Sequence, residues 1–291
     1  MTQAVLILAH KDFDQVLELA RQLKSKFDIY IHFDVKMNLS SEEKKKLKKE
    51  GIKYISNFDI KWGSWSIVKA TIDLIEYALK DKSIDYFHLI SGQDWPVGRI
   101  SDIYEYFEEN KMNIYIDSED AYDVRKSGEP IIWWMKYYFP YDRLNRRSLF
   151  GKVFHRVNIL FQTMIGVNKL KKLDVDFKIY SGSQWFDLPR YAIEYALEYL
   201  NENKELKKVL STSFCSDEFW IPTILRNNKD FTKNIVKNNH RFIKWEKKNG
   251  SYPAILDESD YIDIISSGAF FVRKIDSNGY SKKLVKKLIK N

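Results

Sequence analysis

Val5-Leu6-Ile7-Leu8-Ala9, then Asp12 ahead of Val16, Leu19, Ala20 and Leu23, then Ile29-Tyr30-Ile31-His32-Phe33-Asp34: this stretch decides the fold. A short apolar run without alternation reads as a strand buried on both faces. The next four apolar residues recur at helical spacing behind an Asp able to cap, and predict a helix reaching about Lys26. Ile29 to Phe33 is again a strand. Two strands joined in this way are parallel neighbours with a crossover helix between them. The pattern continues outward. Ser40 and Glu43 form a capping-box pattern before a short basic helix that stops at Gly51, and Ile52 to Ile55 is a third strand. Val68, Ile72, Ile75 and Leu79 recur at helical spacing, and Tyr86 to Ile90 is a fourth strand. The expectation is an α/β fold: a Rossmann-like, mostly parallel sheet with helices on both faces.

At 291 residues, with 44% hydrophobic and 15% aromatic residues, the chain can bury a substantial core. It shows no internal repeat, low-complexity tract or long linker. One domain over 1–291 is expected, with a nucleotide-binding half (1–120) and an acceptor and diphosphate-binding half (121–291). Cys215 is the only cysteine and reads as a small buried hydrophobe, so no internal disulfide can form. Met1-Thr2-Gln3 and the apolar run behind it lack a basic n-region and a cleavage site. No apolar run approaches the roughly 20 residues of a membrane span. A cytoplasmic location, or a peripheral one on a membrane, is expected. The formal charge of +8 raises the question of nucleic acid. No helix-turn-helix, zinc-finger or RNA-recognition signature accompanies it, so no nucleic-acid partner is expected.

The middle of the chain is different. Arg143 to Leu173 holds eight Lys or Arg and no acidic residue, interleaved with Leu149, Phe150, Val153, Phe154, Val157, Leu160, Phe161 and Ile165. This predicts two basic amphipathic helices broken near Gly166. Their apolar side either faces the core or meets a membrane or partner. Phe177 to Tyr180 and Trp185 to Leu188 read as strands, Pro189 to Leu200 and Asp217 to Leu225 as helices, Gly268 to Val272 as a strand. Lys282 to Ile289 reads as a basic helix with its own apolar stripe.

Ligands of open α/β sheets bind beyond the carboxyl ends of the strands. His10, Asp34-Val35-Lys36 and Ser91-Gly92-Gln93-Asp94 occupy those ends and outline a nucleoside pocket; each alone also suits a loop or a cap. Asp174-Val175-Asp176 matches a metal-binding Asp-x-Asp literally but stands away from the nucleotide half, so it reads as a turn. No metal is expected there, nor a zinc ion from the scattered histidines. Ser216-Asp217-Glu218-Phe219 is followed by Arg241 and then Arg273-Lys274. A carboxylate that can take a proton and two later cations that can hold a diphosphate suffice for sugar transfer without a metal. The bland alternative is that Asp217 and Glu218 only favour a helix dipole, and that the cations form ordinary ion pairs. Against it, Phe219-Trp220-Ile221-Pro222 sets Glu218 beside a hydrophobic surface.

The order Ile31-His32-Phe33-Asp34-Val35-Lys36, Trp62-Gly63-Ser64-Trp65-Ser66, His88-Leu89-Ile90-Ser91-Gly92-Gln93-Asp94-Trp95-Pro96, Gly182-Ser183-Gln184-Trp185-Phe186, Ser216-Asp217-Glu218 and Ser267-Gly268-Ala269-Phe270-Phe271-Val272-Arg273-Lys274 resembles the core-2/I-branching glycosyltransferases, which include the peptide O-xylosyltransferases. The resemblance runs from about residue 4 to about residue 276. It implies a GT-A-like fold, a UDP-sugar donor, inversion at the anomeric carbon and no metal or other cofactor; the acceptor is expected to be a glycan, lipid-linked in a bacterial enzyme. Carried over residue by residue, it makes Glu218 the catalytic base and Arg241 and Lys274 the diphosphate cations. Asp34 and, more loosely, His10 become nucleoside contacts, and Asp94, Trp95, Gln184, Trp185 and Asp217 substrate contacts. GlcNAc is the expected sugar and xylose the alternative; a silent carbohydrate-binding relative, or a nucleic-acid-binding protein, is the non-enzymatic reading. Ser216 stands where the family often has proline, and the disulfides and membrane anchor of the animal enzymes are missing. A compact, Lys-rich version fits a bacterial enzyme at the inner membrane face, in peripheral contact with anionic lipid.

Overall fold

The computed structural model describes residues 1–126 and 128–288, so Ile289, the expected end of the last helix, lies outside the described residues. Two compact units are built from interleaved segments. The first comprises Met1–Asn57, Leu74–Asn113 and Asn238–Asn291; the second comprises Phe58–Asp73 and Ile114–Lys237.

The first unit opens with β1 (Thr2–Ala9), α1 (Phe13–Leu23), β2 (Asp28–Phe33), α2 (Ser41–Lys49) and β3 (Lys53–Ile55). Helix α3 (Trp65–Leu79), which belongs to the first unit from Leu74 onward, leads into β4 (Ile84–Ser91), β5 (Asp94–Pro96) and α4 (Ile100–Glu109). β1 pairs in parallel with both β2 and β4, Leu6 standing opposite Tyr30 and Leu89, and β3 adds to β2 in parallel. Residues Ala4 to Ile7 are fully buried, as expected of a strand covered on both sides. The covering follows from alternation along β2. Phe33 stacks on Phe13 of α1, whereas Tyr30, an odd number of residues away, meets Tyr77 of α3 edge-on. Helices therefore lie on both faces. The predicted caps form: Asp12 accepts from the Gln15 N–H at 3.1 Å, and Ser40 and Glu43 close a reciprocal capping box. Gly51 ends that segment at φ +67°, a conformation that strains other residues.

The second unit contains β6 (Ile114–Ile116), the two-residue strands β7 (Glu119–Asp120), β8 (Arg125–Lys126) and β9 (Glu129–Pro130), α5 (Ile132–Lys136), α6 (Leu149–Met164) and α7 (Lys169–Lys172). These are followed by β10 (Tyr180–Ser181), β11 (Phe186–Pro189), α8 (Arg190–Glu202), α9 (Lys204–Ser211), α10 (Trp220–Asn227) and β12 (Ile235–Val236). Here the pairing is mixed: β6 runs parallel to β12 and antiparallel to β11. Two expectations need correction. The strand expected over Phe177–Tyr180 is reduced to β10, paired with β7. The helix expected from Asp217 is broken, because Ser216–Glu218 form a single 3-10 turn and α10 starts only at Trp220. Of the two readings left open for the basic helices, α6 has its apolar stripe outside: Phe150, Val153, Val157 and Leu160 are all more than half exposed.

The first unit closes with β13 (Arg241–Ile243), α11 (Tyr261–Ser266), β14 (Phe271–Arg273) and α12 (Lys282–Leu288). β14 lies between β13, parallel to it, and β5, antiparallel to it. The strand expected from Gly268 begins at Phe271, because Gly268 turns at φ +67° behind α11. In α12 the apolar stripe is buried through Leu284, Val285 and Leu288, and Lys287 pairs with Glu258 at 2.7 Å, so this helix offers no apolar surface.

Candidate active site

In the second unit, Cys215 in a left-handed conformation (φ 53°) turns the chain into Ser216–Glu218. The turn is tied on both sides: Cys215 N–H donates to the Gly63 carbonyl at 2.9 Å, and the Glu218 carbonyl accepts from Gly182 N–H at 2.8 Å. Gly182 is required by space, since a Cβ there would lie 1.9 Å from the Asp117 carbonyl oxygen. Thus Gly182-Ser183-Gln184-Trp185 and Ser216-Asp217-Glu218, far apart in the chain, meet at one backbone contact. Trp185 is buried, and Gln184 is half-buried.

The Glu218 side chain stays 23% exposed, and its Oε2 accepts from Lys126 Nζ at 2.6 Å. Behind it, Phe219 and Trp220 are fully buried. Burial alone would lower the Lys126 pKa, but the charge and hydrogen bond of Glu218 outweigh it and hold the ammonium above its usual value. Asp217 points inward. Its Oδ1 has no hydrogen-bond partner, and burial, reinforced by the Glu218 charge, pushes its pKa up to about 7. Half-buried, lysine-paired Glu218 beside buried Asp217, whose Oδ1 has no hydrogen-bond partner, places two adjacent carboxyls in different settings. The Cys215 thiol is also buried and pushed well up, as a packing residue would be.

In the first unit the carboxyl ends of β1, β2 and β4 are brought together as the alternation of strand and helix requires. Asp34 N–H donates to the Ala9 carbonyl at 2.8 Å, and Gly92 N–H to the Leu8 carbonyl at 2.9 Å. His10 is exposed at this edge, while Asp34 is buried and caps the turn Val35–Met37 through Lys36 N–H at 2.9 Å. The cap role raised for Asp34 is therefore real. Buried Gln15 ties the edge to the segment ahead of the last helix, donating to the Gly92 and Ile275 carbonyls and accepting from Ser277 N–H.

Asp94 and Trp95 lie in β5 and are buried. Trp95 faces the interior opposite Val272, and Asp94 stands opposite Arg273. The Asp94 carboxyl accepts from Ser91 N–H at 3.0 Å and lies 3.4 Å from Arg273 Nε. Burial pushes its pKa up, and the charges of Arg273 and Arg241 and the Ser91 hydrogen bond only partly draw it back. Arg241, on β13, donates from Nη2 to the Leu89 carbonyl at 2.9 Å and from Nη1 to the Asn239 carbonyl, with its guanidinium over the Phe271 ring. Lys274 follows β14, rather than ending it, and its Nζ lies 3.3 Å from Ser251 Oγ.

Two residues of the site, Arg273 and Lys126, lie outside the expected set. Arg273 entered only as the neighbour of Lys274, yet it is the buried ionic partner of Asp94. Lys126 stands in no sequence motif, because its partner is 92 positions away. Asp174 and Asp176 are exposed in a turn. Among the described residues no group of three His, Cys, Asp or Glu is placed to hold a metal ion.

Comparison with known proteins gives four likenesses. The family model described as Core-2/I-Branching enzyme matches residues 4–264. The beta-glucuronosyltransferase GlcAT14A of Arabidopsis thaliana is 23% identical over 194 residues, 65% of this chain and 39% of its own length. GlcAT14B of the same plant is 26% identical over 109 residues, 37% of this chain and 25% of its own. The chain thus spans about two fifths or less of these relatives. A solved chain from Bacillus anthracis, provisionally assigned as a glucose-1-phosphate thymidylyltransferase and holding a sucrose, overlaps loosely: TM-score 0.32 at 13% identity, over 72% of this chain and 81% of that one.

Proposed function

We propose, from the premise that this chain belongs to the Core-2/I-Branching enzyme family, that it is an inverting glycosyltransferase moving a sugar from UDP to a hydroxyl of a glycan without a metal. The observation that carries this reading is the setting of Glu218. A carboxylate held on a tight turn, backed by buried aromatics and oriented by one lysine at 2.6 Å, is equipped to take a proton.

In the proposed reaction Glu218 removes the proton of the acceptor hydroxyl as its oxygen attacks the anomeric carbon. The bond from that carbon to the UDP oxygen breaks on the opposite face, and the electron pair leaves with UDP. Arg241 and Lys274 are the groups proposed to stabilise the charge developing on the diphosphate. The Leu89 and Asn239 carbonyls hold the Arg241 guanidinium in one orientation, which supports a preorganised role. GlcNAc is the proposed sugar. Glucuronic acid is the second reading, favoured by the names of the two Arabidopsis relatives.

The test is UDP release from UDP-GlcNAc, UDP-glucuronic acid and UDP-xylose, with and without EDTA. Turnover should persist in chelator, and loss restored by Mn or Mg would overturn metal independence. Glu218→Gln should lower transfer by roughly 10² to 10⁴ with UDP binding retained. Near-normal transfer by that variant would remove Glu218 as the base. Lys274→Ala should weaken UDP binding itself.

A further inference from the structure

Helix α6 presents the opposite polarity to an ordinary surface helix. Its inward side is polar: buried His155 bonds to Glu129 Oε2 at 3.0 Å and to the Tyr141 hydroxyl at 2.6 Å. Asn158 and Gln162 both donate to the Tyr138 carbonyl at 2.9 Å, and Gln162 Oε1 accepts from Tyr138 N–H. The outward side is apolar: Phe150, Val153, Val157, Leu160, Phe161 and Met164 are between 56% and 77% exposed. At 3.6 residues per turn these six fall within an arc of about 100°. Lys152 and Arg156 border that arc on one side, both exposed and without an acidic partner among the described residues. No acidic residue occurs from Arg143 to Leu173.

We propose that α6 is an interfacial anchor that lies on an anionic lipid surface with this arc in the headgroup boundary. The polar contacts on its inner side fix the helix, so the apolar arc is already outward and needs no rearrangement. A row of exposed apolar side chains edged by cations complements a surface that is apolar below and negative above. A second copy of the same face fits less well, because it would bring more cations and no acid to meet Lys152 and Arg156. Among the described residues no helix is long and apolar enough to cross a membrane, so the helix lies on the bilayer rather than through it. This inference stands apart from the proposed reaction.

Co-sedimentation of the full chain with vesicles of phosphatidylcholine, with and without phosphatidylserine, tests it. Binding is expected to the anionic vesicles, falling in 1 M salt, where the Debye length is about 3 Å. Lys152→Gln with Arg156→Gln should weaken partition about 25-fold, roughly fivefold for each cation near the surface. Leu160→Ser with Phe161→Ser, at exposed positions that leave the inner contacts intact, should abolish it. Equal absence from both kinds of vesicle, or partition that neither double variant changes, overturns the proposal. So does a dimer in sedimentation equilibrium that the Leu160 and Phe161 changes dissolve while vesicles remain unbound.

Discussion

Replacing Asp217 by asparagine should stabilise the protein, and by more as pH rises. The carboxyl is buried, its Oδ1 lacks a hydrogen bond, and Glu218 is its chain neighbour; together these raise its pKa from 3.8 to about 7. Below about pH 4 the folded and unfolded chains both hold the proton, and the group costs nothing. Between about 4 and 7 the unfolded chain has released the proton that the folded chain keeps, so stability falls as pH rises. Above about 7 the folded protein buries the ion and the penalty is complete. One decade of pH corresponds to about 1.4 kcal/mol, so from pH 5 to pH 8 the wild type should lose about 3 kcal/mol through this group. Asparagine has nearly the same shape and does not titrate. Urea unfolding of both proteins at pH 5 and pH 8 measures the difference, with unchanged m-values as the control. An advantage of the variant that is the same at both pH values would refute the reasoning and mean that Asp217 is not a buried ion at pH 8.

Arg273→Met would leave the Asp94 carboxylate without its nearest cation, at a cost of about 3 to 5 kcal/mol wherever Asp94 is ionised; the loss should shrink as pH falls and Asp94, its pKa raised by burial, takes up a proton, read by the same urea curves. Gly182→Ala would force a methyl into the Asp117 carbonyl and should cost about 3 kcal/mol, with soluble yield and thermal midpoint as the readout. Ser40→Ala should remove the cap of α2 for about 1 kcal/mol, and an unchanged thermal midpoint would show that the helix end is held by other contacts.

The parts of the fold legible in the sequence are those whose cause is local. The apolar runs of β1 and β2, the spacing of Val16, Leu19, Ala20 and Leu23, and the Ser40–Glu43 box lie within a few residues of the structure they produce. Parallel strands then place His10, Asp34 and Ser91 at one edge by geometry alone. What escaped depends on remote partners. β5 is three residues long and becomes a strand only because β14 lies beside it, 177 positions later. Lys126 meets Glu218 for the same kind of reason. In α6 the periodicity reports an apolar stripe but not which side of the helix is occupied, and that is settled by the Tyr138 backbone, His155 and Gln162. The break after Glu218 escaped because the tie to Gly63 across the fold opens the turn at Cys215, whereas the local pattern is equally good for one helix.

The wait of β5 for β14 has a consequence during synthesis. At about 5 to 20 residues per second, roughly 10 to 35 seconds pass between making Asp94 and making the strand that pairs with it. By then every segment of the second unit has been made, while the first unit is still incomplete. Until Arg273 arrives, Asp94 has no cation on a paired strand to meet it. A nascent chain arrested near residue 240 would therefore carry the Glu218 turn, with the strand that brings Arg273 to Asp94 still unmade.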